Sequence, residues 1–331
     1  MTKDDVSKGR VCVTGGTGFL GSWTIKKLLE DGYTVNATVR IDPERKRDIS
    51  YLTNLPGASA RLHIFNANLD DPKSFATAIE GCDGVFHMAH PLDFEEKESE
   101  EVKLKRVTEG LRGILQTCAD AKTVRRVVYT ASISSACFGN KNEDGLVDET
   151  CWTDVELIRK LKPFGGPYIV TKTLAEQAAI DLAEKLGIDL VSIAPTWVHG
   201  PFLTPSCPDS VYIFMSLILG DNKFFAHLKD TSLVHVDDVA RAHIHLFENP
   251  EAKGRYICSA IELTIQELVD FISSRYPEYK MPIEDSWKDV AMFKISGLSS
   301  EKLKKIGFEY KYGIEEMYDG GIKSCKEKGI L

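Results

Sequence analysis

The nine residues Val13–Gly21, VTGGTGFLG, constrain this chain of 331 residues more than any other stretch. Gly15, Gly18 and Gly21 stand three apart, between a β-branched run, Arg10–Thr14, and a helix-forming run, Phe19–Asp31, that Gly32 ends. The first glycine permits a tight turn, the second lets backbone approach a pyrophosphate, and the third allows close helix–strand packing. The helix then offers free N–H groups and the positive end of its dipole to an anion. The pattern predicts a dinucleotide site at the first β–α junction, with Thr14, Gly15, Gly18, Phe19 and Leu20 as its candidate contacts.

The rest of the chain supports that placement. Val35–Arg40, Leu62–Ala67, Gly84–Met88, Arg126–Thr130 and Leu190–Ala194 read as further strands. They are continuous apolar runs separated by stretches long enough for crossover helices, which is the pattern of a parallel sheet covered on both faces. The fold class expected is α/β, a Rossmann-type doubly wound sheet with a smaller C-terminal substrate lobe. From Pro195 on, four prolines (195, 201, 205 and 208) fall within fourteen positions and the rhythm changes. Residues 1–195 are therefore expected to form the dinucleotide-binding domain, with a later return around 230–248, and 196–331 mainly the substrate lobe. The densely charged run Asp93–Glu109 reads as a solvated helix face.

Composition excludes several classes. Lys and Arg number 41 against 49 Asp and Glu, a net charge of −8, so nothing favours a nucleic-acid partner. The eight cysteines form no CxxC pair, which argues against a zinc site. No apolar run is long enough to span a membrane. The polar start MTKDDVSKGR predicts no signal peptide and a cytoplasmic protein with reduced thiols. A monomer or loose dimer is expected.

The end of the second strand selects the cofactor. An acidic residue there would take the ribose 2′-hydroxyl of NAD, whereas Arg40, followed by Arg45, Lys46 and Arg47, suits the 2′-phosphate of NADP(H). Asp42 competes, but Pro43 places it in the turn.

Candidate chemistry comes from Pro167–Leu186, a strong helix former that Gly187 stops. Tyr168 and Lys172 are four apart and share a face. An ammonium beside a phenol favours phenolate, so the lysine is expected to draw the tyrosine pKa down from about 10. The tyrosine can then give a proton to a carbonyl oxygen or take one from an alcohol, and Tyr168 and Lys172 are also expected to contact the cofactor, the lysine at its ribose. A second Tyr-x-x-x-Lys, Tyr276 and Lys280, has Pro277 directly after the tyrosine and need not share a helix. Ser132, just past the fifth strand, could hold the carbonyl oxygen. Phe202, Met215, Phe224 and Phe225 read equally as lobe core or as the wall of an apolar pocket.

These residues resemble a known family. VCVTGGTGFLGSW (11–23), GVFHMAHPLDF (84–94), AKTVRRVVYTAS (121–132), YIVTKTLAEQAA (168–179), LVHVDDVARAHIHLFE (233–248) and GRYICS (254–259) are similar to the extended short-chain dehydrogenase/reductases, in particular the plant dihydroflavonol reductase-like group. Residues 42–59 look closest to an isoflavonoid ketone reductase of that group. The resemblance implies an NADPH-dependent reductase of a ring ketone or aldehyde with Ser132, Tyr168 and Lys172 as its triad. It also implies cofactor contacts at Arg40, Asn68, Leu69, Met88, Ala89, His90, Pro195, Val198 and Ser210, and a substrate pocket with His90, Cys137, Trp197 and Phe202. Asn68 stands where the family usually has Asp. Cys137 stands where dihydroflavonol reductases carry Asn, which points away from dihydroflavonols because a thiol cannot form an amide's hydrogen bonds. GGPYIVTK lacks the cysteine motif of cinnamoyl-CoA reductases. Two other functions fit the same scaffold, a sugar-nucleotide epimerase or dehydratase and a non-catalytic NADP sensor. Arg40 argues against the first, and the intact triad against the second.

Overall fold

The computed structural model describes residues 7–40, 48–91, 98–163 and 165–331, except 284, 286 and 288–294. Ten strands follow in chain order: β1 (Arg10–Thr14), β2 (Thr34–Val39), β3 (Leu62–Asn66), β4 (Gly84–His87), β5 (Arg126–Thr130), β6 (Leu190–Pro195), β7 (Trp197–His199), β8 (Asp230–His235), β9 (Gly254–Cys258) and β10 (Ile261–Thr264). The six strands legible in the sequence fall within one residue of their expected spans.

Seven strands form one parallel sheet in the order β3-β2-β1-β4-β5-β6-β9. Both faces are covered, which is why its central strands β1, β4, β5 and β6 are almost entirely buried. Along β1, Val11 and Val13 enter one apolar layer and Cys12 the other. Helices Phe19–Glu30 and Val236–Glu248 pack together over the first face, through Ile25, Leu28, Val239 and Phe247. Helices Glu100–Ala121 and Gly166–Leu186 pack together over the second, through Leu111, Ile114, Ala179 and Ala183. The strand order reverses between β1 and β4, and a crevice at such a switch point is where ligands bind in doubly wound sheets.

Past β6 the chain divides its time. β7 and β8 pair in parallel and β10 pairs antiparallel to β8 in a small second sheet, while β9 returns to the edge of the large one. Helices Asp209–Leu219, Ile265–Arg275 and Ile314–Glu327 enclose a separate core that contains Phe214, Met215, Leu268, Met317 and Tyr318.

The charged run is not a uniformly solvated face. Residues 92–97 lie outside the described residues, and the helix from Glu100 carries an inward stripe of Lys103, Val107, Leu111, Ile114 and Cys118. Lys103 is buried because it lies one turn before Val107 on that stripe, while Val102 is exposed.

Candidate active site

The glycine turn is built as its spacing demands. Gly15 has φ +71°, and a Cβ there would lie 3.0 Å from Ala89 Cα. A Cβ on Gly21 would lie 2.3 Å from the carbonyl oxygen of Gly15, so only hydrogen fits between helix and turn. Gly18 caps the Phe19–Glu30 helix with no side-chain hydrogen bond and is exposed. An open helix N-terminus beside backbone stripped of side chains fits a pyrophosphate. Phe19 and Leu20, both half-buried, open that helix.

Thr14, at the end of β1, ties this turn to the end of β4. Its hydroxyl oxygen accepts from the backbone N–H of Met88 (3.0 Å) and Ala89 (3.1 Å). With both N–H groups donating, the hydroxyl hydrogen goes to His87 Nδ1 at 2.8 Å, so that ring is neutral with its proton on Nε2. Burial also pushes the His87 pKa down to about 3.

Arg40 is exposed one residue past β2. Asp42, Arg45, Lys46 and Arg47 lie outside the described residues. Asn68 and Leu69 follow β3, and the Asn68 Oδ1 accepts the Asp70 N–H at 3.2 Å.

Ser132, Tyr168 and Lys172 meet at the carboxyl end of β5. Ser132 caps a short 3-10 turn, Ile133–Ser135, and its Oγ accepts from Ser134 N–H at 3.2 Å. Gly165, with φ +71°, and Pro167 start the helix that carries the other two, and Gly187 ends it at φ +67°. The Tyr168 phenol hydrogen-bonds the Ser132 side chain. Lys172 Nζ donates to the Thr130 carbonyl at 3.0 Å.

The expected tuning of the tyrosine by the lysine is not present in the protein alone. Burial raises the Tyr168 pKa, and the opposing influence is the Ser132 hydrogen bond. The ammonium is directed at Thr130 instead. Burial pushes Lys172 itself down to about 8, against the pull of Glu176.

His90 stands at the mouth of this group, half-buried, its ring centroid 5.7 Å from that of Tyr168. Burial first, then Lys172 and His87, hold it far below the usual histidine range, so it is neutral. Cys137, half-buried, lies two residues beyond the 3-10 turn, with its thiol pushed up by burial. Pro195 closes β6, and Ser210 Oγ donates to the Val198 carbonyl at 2.8 Å. Trp197 is half-buried against Phe214 and His227. Phe202, Met215 and Phe225 are buried in the core of the C-terminal lobe, while Phe224 is half-buried against Tyr212. The second tyrosine–lysine pair does not share a helix, since that helix ends at Arg275.

Sequence reasoning overlooked one charged pair in this region. Glu176, one turn beyond Lys172, is completely buried and bound to Arg255 of β9. Its i, i+4 spacing from Lys172 was the available signal.

Residues 11–258 match the NAD dependent epimerase/dehydratase family. The chain belongs to this family. Within it, the chain is an extended short-chain dehydrogenase/reductase of the dihydroflavonol reductase-like group, and an oxidoreductase. It is 51% identical to vestitone reductase of Medicago sativa over 98% of this chain and 99% of that one. It is 49% identical to protein BRI1-5 ENHANCED 1 of Arabidopsis thaliana over 98% of this chain and 90% of that one. Identity to the bifunctional dihydroflavonol 4-reductase/flavanone 4-reductase of Malus domestica is 44%, over 97% and 91%. The crystal structure of vestitone reductase from alfalfa superposes with a TM-score of 0.87 at 48% identity, covering 98% of this chain and all of that one. Gre2 of Candida albicans in complex with NADPH superposes with a TM-score of 0.79 at 25% identity, over 96% and 99%. Among the described residues no helix is long and apolar enough to cross a membrane, and no acid, histidine or cysteine cluster could hold a metal.

Proposed function

We propose that this oxidoreductase is an NADPH-dependent reductase of a ring ketone or aldehyde on a flat, flavonoid- or isoflavonoid-like molecule. The observation that carries this reading is the convergence of Ser132, Tyr168 and Lys172 on the end of β5, beside the glycine turn. Residues 1–195 and the returning segments form the cofactor unit, and 196–331 mainly the substrate lobe. The open helix N-terminus at Gly18 would hold the pyrophosphate, and Arg40 the 2′-phosphate. The NADPH bound at these residues supplies hydride.

Ser132 donates to the substrate carbonyl oxygen and stabilises the charge that develops there. Tyr168 gives that oxygen its proton; a phenol of raised pKa is protonated at neutral pH, as an acid must be before it acts. Lys172 would hold the cofactor ribose, and it supplies the nearby positive charge that stabilises the phenolate left behind. His90, neutral and edge-on to the Tyr168 ring, and Trp197, packed against Phe214, are assigned to the substrate side. Cys137 offers no amide to a ring hydroxyl, which favours an isoflavanone over a dihydroflavonol.

NADPH oxidation against a panel tests this reading. The panel holds an isoflavanone such as vestitone, a dihydroflavonol, aromatic aldehydes and a cinnamoyl-CoA thioester. Turnover of the isoflavanone is the expected result. Turnover of the thioester alone, or of none despite saturable NADPH binding, overturns it.

A further inference from the structure

The Glu176 carboxylate joins four segments. Arg255 of β9 donates to both of its oxygens, Nε to Oε1 at 3.0 Å and Nη2 to Oε2 at 3.3 Å. Ser192 of β6 donates to Oε1 at 2.5 Å. Ser135, three residues beyond Ser132, donates to Oε2. Arg255 is held in turn, its Nη1 donating to the carbonyls of Glu149 (2.9 Å) and Cys151 (2.8 Å) and its guanidinium lying 3.6 Å from the centroid of the Trp152 ring.

A carboxylate four residues after a lysine on one helix face is placed to take its ammonium. Here that does not happen: Arg255 and two serines occupy the carboxylate, and Lys172 Nζ donates to Thr130. We propose that Glu176 is a positioning residue for the reductase site, locking the Ser132–Ser135 turn to the lysine's helix, and that Arg255 keeps the carboxylate from capturing Lys172. The inference rests on the reductase reading for what Lys172 does, but its placement can be read without turnover.

The charged and titratable groups that act with Lys172 are Glu176 on its own helix and His87 and His90 from the end of β4; Tyr129 of β5 faces Glu176 and Tyr168. The two histidines are neutral, so Glu176 is the anion that helps keep the ammonium protonated.

The test is NADPH affinity by fluorescence titration from pH 6 to 9, with thermal melts, on the full chain. The wild type is expected to lose affinity as Lys172 deprotonates. In Glu176→Gln this alkaline limb moves down by about one pH unit, because the anion is gone. In Arg255→Met the freed carboxylate takes the ammonium, so affinity falls about tenfold and the limb moves up. The paired variant Glu176→Gln/Arg255→Met leaves no buried charge uncompensated. It recovers affinity relative to Arg255→Met, with its limb below that of the wild type. Ser135→Ala keeps both charges and the limb, and lowers turnover about tenfold with little change in melting.

A purely structural hub would instead lower melting in the three charge variants without moving any limb, and the pair would bind NADPH no better than Arg255→Met. Those results, or a wild type with no alkaline limb, overturn the proposal. If either single charge variant fails to fold, the paired variant and Ser135→Ala decide. Failure of every ketone in the panel would sink the reductase reading and leave the NADPH titration to judge this one.

Discussion

The rings of His90 and Tyr168 meet edge to face, their planes at 88° and their centroids 5.7 Å apart. A neutral imidazole offers one donor and one acceptor, which a substrate hydroxyl can use together. His90→Ser shortens that reach. KM for a ketone bearing a ring hydroxyl beside the reacting carbonyl is expected to rise about tenfold, the equivalent of one hydrogen bond of roughly 1.4 kcal/mol, while the same ketone without the hydroxyl is unaffected. Equal losses on both ketones, or weakened NADPH binding instead, would assign His90 to the cofactor.

Cofactor choice rests on Arg40. Arg40→Ala is expected to weaken NADPH binding by tenfold or more, the order of one charge-assisted contact to phosphate, and to leave NADH binding unchanged. Calorimetric titration with both cofactors checks this. Equal losses for the two would show that Arg40 does not meet the 2′-phosphate.

The turn itself tolerates little. In Gly21→Ala the new methyl would sit 2.3 Å from the Gly15 carbonyl, a backbone atom that cannot swing aside. The helix must shift away from the turn. Dinucleotide affinity is expected to fall by at least tenfold and stability by about 1–3 kcal/mol, the range for overpacking. Melting and binding curves like those of the wild type would contradict the close approach.

Buried histidines make the fold sensitive to mild acid. Burial lowers His87 and His199 to about 3 and His235 and His243 to about 4, from 6.5 in the unfolded chain. Between these values the unfolded chain binds protons that the folded one refuses, so stability falls as pH drops below 6.5. Each histidine contributes a slope of up to about 1.4 kcal/mol per pH unit. Urea unfolding at pH 7 and pH 5 is expected to show a large loss. His199→Phe, in a site lined by Phe214 and Tyr318, should reduce that loss by about one histidine's share. A midpoint unchanged from pH 7 to pH 5 would count against neutral burial.

Much of this was legible in the residues. The first six strands are short runs rich in apolar residues, and both helices flanking the site carry glycines at or just beyond their two ends. Tyr168, Lys172 and Ser132 were found because helical spacing and strand ends are local properties. What was not legible depends on partners distant in sequence. β9 is as apolar as β5, yet nothing near it shows that it pairs with β6, sixty residues away. Lys103 looked solvated within its charged run and is buried by the register of the helix face. Burial raises the tyrosine's pKa and the ammonium turns to the Thr130 carbonyl, and neither is a matter of spacing.

The central claim is hydride transfer to a carbonyl with Tyr168 as the acid. Its most direct measurement uses NADPH deuterated at the transferable position, an isoflavanone substrate and mass analysis of the product, with the wild type and Tyr168→Phe side by side. The account predicts one deuterium on the new carbinol carbon with the wild type. It predicts a loss of 10²-fold or more in rate with the variant, the scale of general-acid catalysis, with NADPH binding intact. A product of unchanged oxidation state, or full activity without the phenol, would contradict it.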